Sequence, residues 1–101
     1  MPTIVQIDFP SEGPFGEQLR AAVGDLAESI AREPGMRWKI WTENAAEKTA
    51  GGIYLFETEA TARAFLEMHL ARLPSFGVTN ARARVFNINE PLSRITHAPG
   101  I

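Results

Sequence analysis

Apolar and polar positions alternate over residues 3–9 (TIVQIDF), with Val5, Ile7 and Phe9 on one side and Ile4, Gln6 and Asp8 on the other, which predicts a first strand. Pro10-Ser11-Glu12-Gly13-Pro14 interrupts it, and from about Phe15 the period changes: Leu19, Val23, Leu26 and Ile30, with Ala22 and Ala27 between them, recur at helical spacing until Pro34-Gly35. Residues 36–43 (MRWKIWTE) alternate again, Met36, Trp38 and Ile40 against Arg37, Lys39 and Trp41, as a second strand. A polar link over 44–49 leads to a third strand at 51–57 (GGIYLFE), and so short a link favours a hairpin. Thr58 is placed to cap a second helix whose apolar stripe is Ala62, Phe65, Leu66, His69 and Leu73, with Glu59 in its first turn and Gly77 as its stop. Residues 78–88 (VTNARARVFNI) predict a fourth strand, and 91–101, with two prolines, a C-terminal tail.

The order β-α-β-β-α-β predicts an α+β, ferredoxin-like fold: a four-stranded antiparallel sheet with both helices on one face, since both crossovers are right-handed. If Val5, Trp38, Ile53 and Val85 face the helices, the other face carries Ile4, Trp41, Tyr54, Phe56, Phe86 and Ile88. A patch of that size exceeds what a monomer leaves in water, so a second copy is expected to cover it as a homodimer, giving a dimeric α+β barrel. Exchanging the two faces leaves this expectation intact, because both are apolar.

Length and composition narrow the classes. At 101 residues, 45% apolar and 22% charged, the chain holds one modest core, so residues 1–101 form a single domain. Ten basic and twelve acidic residues are interspersed without a basic run, which argues against a nucleic-acid partner. No cysteine is present, so disulfides, thiolate nucleophiles and cysteine-held metals are excluded. The start, MPTIVQID, lacks a basic region, and there are not 18 consecutive apolar residues anywhere; a cytoplasmic protein without a membrane partner is expected.

Histidine alone titrates near neutrality unperturbed, which directs attention to His69 within the apolar stripe of the second helix; His97 lies in the tail. His69 fits two roles, a core histidine bonded to a backbone carbonyl or a catalytic base reaching a pocket between helix and sheet. Trp38, Trp41 and Tyr54 cluster on the central strands, where stacked aromatics suit either a pocket for a flat molecule or a dimer core. Asp8, Lys39 and Arg84 fall on the expected interface face, where charges must pair. Gly51-Gly52 lacks the strand-loop-helix setting of a phosphate loop and reads as a turn or bulge device. No paired-histidine metal site occurs.

Several blocks of the sequence carry a family likeness: Gly13-Pro14-Phe15-Gly16, Trp38-Lys39-Ile40-Trp41-Thr42-Glu43 after Glu33-Pro34-Gly35, Ala50-Gly51-Gly52-Ile53-Tyr54-Leu55-Phe56, His69 with Ala71-Arg72-Leu73, and Val85-Phe86 running into Asn89-Glu90-Pro91-Leu92-Ser93. Nearly end to end the chain resembles the YdhR family of monooxygenases. The resemblance implies a dimeric α+β barrel in the wider group of antibiotic-biosynthesis monooxygenases, which oxidise polycyclic aromatics with molecular oxygen and no cofactor. In that setting His69 would be the base or a hydrogen-bond donor. Trp38, Phe65, Tyr54 and Asn87 would surround an aromatic substrate, Asn87 being no base. The alternative is a non-catalytic small-molecule-binding, stress or interaction protein on the same dimer.

Overall fold

A computed structural model describes every residue, Met1–Ile101. Strands β1 (Thr3–Pro10), β2 (Met36–Asn44), β3 (Thr49–Phe56) and β4 (Arg82–Asn87) form one antiparallel sheet in the order β2-β3-β1-β4. Helix α1 (Gly16–Ala31) joins β1 to β2, and α2 (Glu59–Arg72) joins β3 to β4, so the element order is the ferredoxin-like one. No helix is long and apolar enough to cross a membrane.

Local chemistry explains most boundaries. Thr58 caps α2, its hydroxyl accepting from the Thr61 N–H at 3.1 Å. A 3₁₀ turn, Leu73–Phe76, follows α2 and ends at Gly77, whose φ of +80° only glycine adopts without strain. The fourth strand is shorter than the residues 78–88 expected, because this turn and its exit occupy the chain until Arg82; Ile88 lies beyond the strand. The tail is not wholly irregular. Asn89 caps a short helix α3 (Glu90–Ile95), with Pro91 in the first turn, where its missing N–H has no intrahelical partner to lose.

Residues opposite one another in the ladder share a face. Val5 pairs with Tyr54 and Val85, and Tyr54 with Lys39, so these point to the helices; Ile4 pairs with Leu55 and Phe86, and Leu55 with Trp38, so these point away. Several face expectations are therefore corrected. Tyr54, Phe56, Trp41 and Lys39 face the helices, whereas Trp38 and Ile53 lie on the other side. The register of β2 slips at a bulge between Met36 and Trp38, which reverses the phase of everything after it. Strand β3 is apolar on both sides, so its alternation had not revealed which side faced in.

The core sits between sheet and α2: Val5, Ile7, Tyr54, Phe56, Ala62 and Phe65 are all nearly inaccessible, joined by Ile30 and Leu73. The two helices divide the sheet unequally. Helix α2 packs on β1, β3 and β4, while α1 meets β2 and buries only Ile30 completely. On the opposite face the tail returns to β2, where Trp38 Nε1 donates to the Pro99 carbonyl (3.2 Å) and Arg37 to that of Gly100 (2.7 Å). Leu55 is buried under this end of the tail, whereas Ile40 and Phe86 stay exposed.

Candidate active site

Because α1 and α2 sit over different strands, they leave a cavity of about 680 Å³ between them, above the Ile7 and Phe9 end of the sheet. Leu19, Val23 and Leu26 from α1, Phe9 from β1 and Trp41 from β2 line its walls. Its polar floor is small: Lys39, Tyr54 and His69. Lys48 and Glu12 line it too, 3.4 Å apart as an exposed ion pair.

His69 is almost inaccessible and hydrogen-bonded on both ring nitrogens. Arg72, three residues on and thus on the same helix face, donates through Nε to His69 Nδ1 at 2.9 Å. A guanidinium only donates, so Nδ1 must be the lone-pair nitrogen and the neutral ring carries its proton on Nε2. Nε2–H then faces the Tyr54 hydroxyl oxygen at 3.4 Å, which leaves the phenolic O–H free to donate elsewhere. Phe65 stacks on the imidazole, centroids 4.8 Å apart and planes 21° apart, and fixes its tilt from the core side.

Lys39 reaches the same floor from β2. Its ammonium lies 3.2 Å from the centre of the Trp41 ring and 4.6 Å from that of Tyr54. Its stem crosses Gly52, where a Cβ would come within 2.5 Å of Lys39 Cε. The glycine pair therefore serves close packing inside a strand, and no turn or bulge occurs there.

The electrostatics follow from burial without compensation. Burial first, then the neighbouring Arg72, lowers the Lys39 pKa from 10.5 to about 7. Burial, Arg72 and Lys39, in that order, lower His69 from 6.5 to about 4, so its ring is neutral at physiological pH. Burial raises the Tyr54 phenol well above its ordinary value, against a smaller opposing pull from Arg72.

Of the residues expected to form the site, the structure brings Tyr54 and His69 together at the cavity floor. Phe65 stands behind them in the core. Trp38 is on the opposite face of the sheet, bonded to the tail, and does not line the cavity. Asn87, opposite Thr3, is exposed at the other end of the sheet. His97 is exposed in the tail. Trp41, offered by the sequence among the pocket aromatics, lines the cavity; Lys39, expected on the interface face, and Arg72 are the site residues that the sequence reading missed. The signal for Arg72 was its i+3 spacing from His69; Lys39 needed the bulge. No group of three or more His, Cys, Asp or Glu side chains is arranged to hold a metal ion.

A four-stranded antiparallel sheet with two helices on one face and a cavity between them defines a ferredoxin-like α+β domain. The chain belongs to the ydhR family: the model described as "Putative mono-oxygenase ydhR" matches residues 4–99. Among solved structures, it is similar to a mutant of SnoaB, a cofactor-independent oxygenase from Streptomyces nogalater (13% identity, TM-score 0.65, covering 87% of this chain and 93% of that one). It is also similar to a "putative antibiotic biosynthesis monooxygenase" from Deinococcus radiodurans (12% identity, TM-score 0.63, 86% and 92% covered). A third is NE2512, a protein of unknown function from Nitrosomonas europaea (15% identity, TM-score 0.60, 87% and 89% covered). At these identities the likeness is one of fold. No curated protein matches the sequence.

Proposed function

We propose that this protein is a cofactor-independent monooxygenase acting, as a homodimer, on an aromatic or polycyclic molecule that carries a phenolic or enolisable oxygen. The observation that carries this reading is the cavity floor, where a Tyr54 hydroxyl held by the Arg72-fixed Nε2–H of His69 is presented to a large apolar space. The family's monooxygenase description supports the reaction class. Such a substrate supplies its own electrons: a ring C–H becomes a carbonyl with one oxygen atom of O₂, and the second atom leaves as water with two substrate hydrogens. Tyr54 would donate to the substrate oxygen as negative charge develops on it, a role in which one well-placed donor is worth about 10²-fold or more. His69, neutral and with its only basic nitrogen already bonded to Arg72, suits positioning of Tyr54 better than proton abstraction.

The homodimer is supported by Ile40 and Phe86, which remain exposed on the sheet face turned away from the helices, and by the exposed Leu92 and Ile95 of α3. The test of the function is oxygen uptake by purified protein with dihydroxynaphthalenes and larger hydroxylated polyaromatics. One O₂ consumed per quinone formed, lost in Tyr54→Phe, is the expected result. Binding of these compounds without oxygen uptake would instead make the protein a non-catalytic carrier.

A further inference from the structure

The floor of the cavity holds two nitrogen-bearing side chains, Lys39 and His69, with Arg72 behind His69, and no acid. Lys39 and Arg72 are absent from all five ion pairs of the structure, and the Arg72 Nη2 is buried without any hydrogen-bond partner. The one carboxylate lining the cavity, Glu12, is engaged by Lys48. A buried cation normally has a counter-charge, because leaving it unpaired costs several kcal/mol. Here the only partners of the Lys39 ammonium are the π-faces of Trp41 and, farther off, Tyr54. Gly52 keeps the lysine stem in this place at a position where any side chain would crowd it.

We infer that the missing counter-charge is supplied by the ligand: the cavity recognises an aromatic oxyanion, with the Lys39 ammonium and the Tyr54 hydroxyl at the anionic oxygen, Arg72 adding positive potential from behind His69, and the flat apolar body against Trp41 and α1. This deepens the function proposed above and rests on the same cavity. A phenolate or enolate formed in the site and a carboxylate brought from solution share this chemistry. If the oxygen arrives as a hydroxyl, neutral Lys39 accepts its proton, giving ammonium and phenolate with no other reactant. The groups facing Lys39 are Tyr54 from β3, His69 and Arg72 from α2, and Trp41 from its own strand; the lining residues of α1 are uncharged. With Lys39 titrating at about 7, affinity for a permanent anion falls as pH rises through that value.

The test is titration of the full-length protein with 2-naphthoate, with its neutral isostere 2-naphthamide and with 2-naphthol, followed by calorimetry and by tryptophan fluorescence, with Trp38→Phe isolating the Trp41 signal. Naphthoate binding at least roughly tenfold tighter than the amide, the scale of one charge-assisted hydrogen bond, is expected, and Lys39→Met should abolish the difference. Removing an uncompensated charge should leave that variant folded, which circular dichroism checks; Arg72→Met, weakening the preference without touching the lining, is the second variant. In the phenolate arm, 2-naphthol should show the red-shifted absorbance of naphtholate on binding to wild type and not to Lys39→Met. Amide binding as tight as naphthoate, or a preference indifferent to both variants, would overturn the inference. The binding readout is independent of turnover: anion preference without oxygen uptake retains this site and removes the oxygenase, whereas oxygen uptake without anion preference does the reverse.

Discussion

Arg72 donates to Nδ1 of His69 across 2.9 Å, and since a guanidinium accepts nothing, this one bond decides where the imidazole holds its proton. The histidine becomes a fixed donor aimed at Tyr54, and its expected behaviour in solution follows.

His69 should stay neutral far into the acid range. Its folded pKa is about 4 against 6.5 ordinarily, so between those values the unfolded chain binds a proton that the folded one refuses. Stability therefore falls as pH drops through that window, with a limiting slope of ~1.4 kcal/mol per pH unit from this group. Urea melts from pH 7 to 4 should show the slope, and His69→Gln should remove that part of it.

Lys39 has the same sign at the alkaline end. Between about 7 and 10.5 the unfolded chain keeps an ammonium that the folded chain has released, so stability rises with pH there. Thermal melts of Lys39→Met should be flatter over this range and lie above wild type at pH 7. A variant less stable than wild type at pH 7 would mean that the ammonium is well compensated in the fold.

Tyr54→Phe keeps the ring against Phe65, 5.2 Å away, and removes only the hydroxyl. The buried His69 Nε2–H is then left without its acceptor, at a cost of ~1–3 kcal/mol. The variant should fold with a lowered melting temperature and lose turnover by about 10²-fold.

Gly52→Ala should act on the site more than on the fold. The new Cβ meets the end of the Lys39 stem at 2.5 Å and Tyr54 Cε1 at 3.2 Å; the lysine can swing away, the tyrosine cannot move as freely. A destabilisation of ~1–3 kcal/mol together with loss of naphthoate preference is expected. Full preference in Gly52→Ala would show that Lys39 needs no such seat.

Phe86 is 41% exposed in a single chain, so Phe86→Asp should leave the fold of the protomer unchanged. In a dimer it would bury an unpaired charge. Light scattering is expected to give twice 11.1 kDa for wild type and 11.1 kDa for the variant; a wild-type monomer would remove the dimer.

What could be read from the sequence was the order of elements and the cap at Thr58, because periodicity and local chemistry are written along the chain. His69 stood out for a similar reason, as a titratable residue in an apolar stripe. Trp38 was misplaced because alternation says which residues share a side within a strand, while the side itself depends on register, and the bulge after Met36 changes it. The short helix α3 escaped because six residues are too few to display a period and Pro91 reads as a breaker unless Asn89 is recognised as its cap. Lys39 and Arg72 needed three-dimensional knowledge: their significance lies in the carboxylates that are not near them.

Helix α1 buries only Ile30 fully, departs from helical geometry at Val23 and has its first turn held by the Glu43 carboxylate on the Gly16 N–H, 3.1 Å away. Its inner surface is turned to the cavity in place of the sheet, so the empty protein carries a helix with an unfinished hydrophobic contact. A ligand completes that contact, and occupancy becomes a folding term: at a hundred times its Kd, it adds about 2.7 kcal/mol to global stability. Amide hydrogen exchange should register this locally, with residues 16–31 exchanging faster than α2 in the ligand-free protein and the segment most slowed by naphthoate.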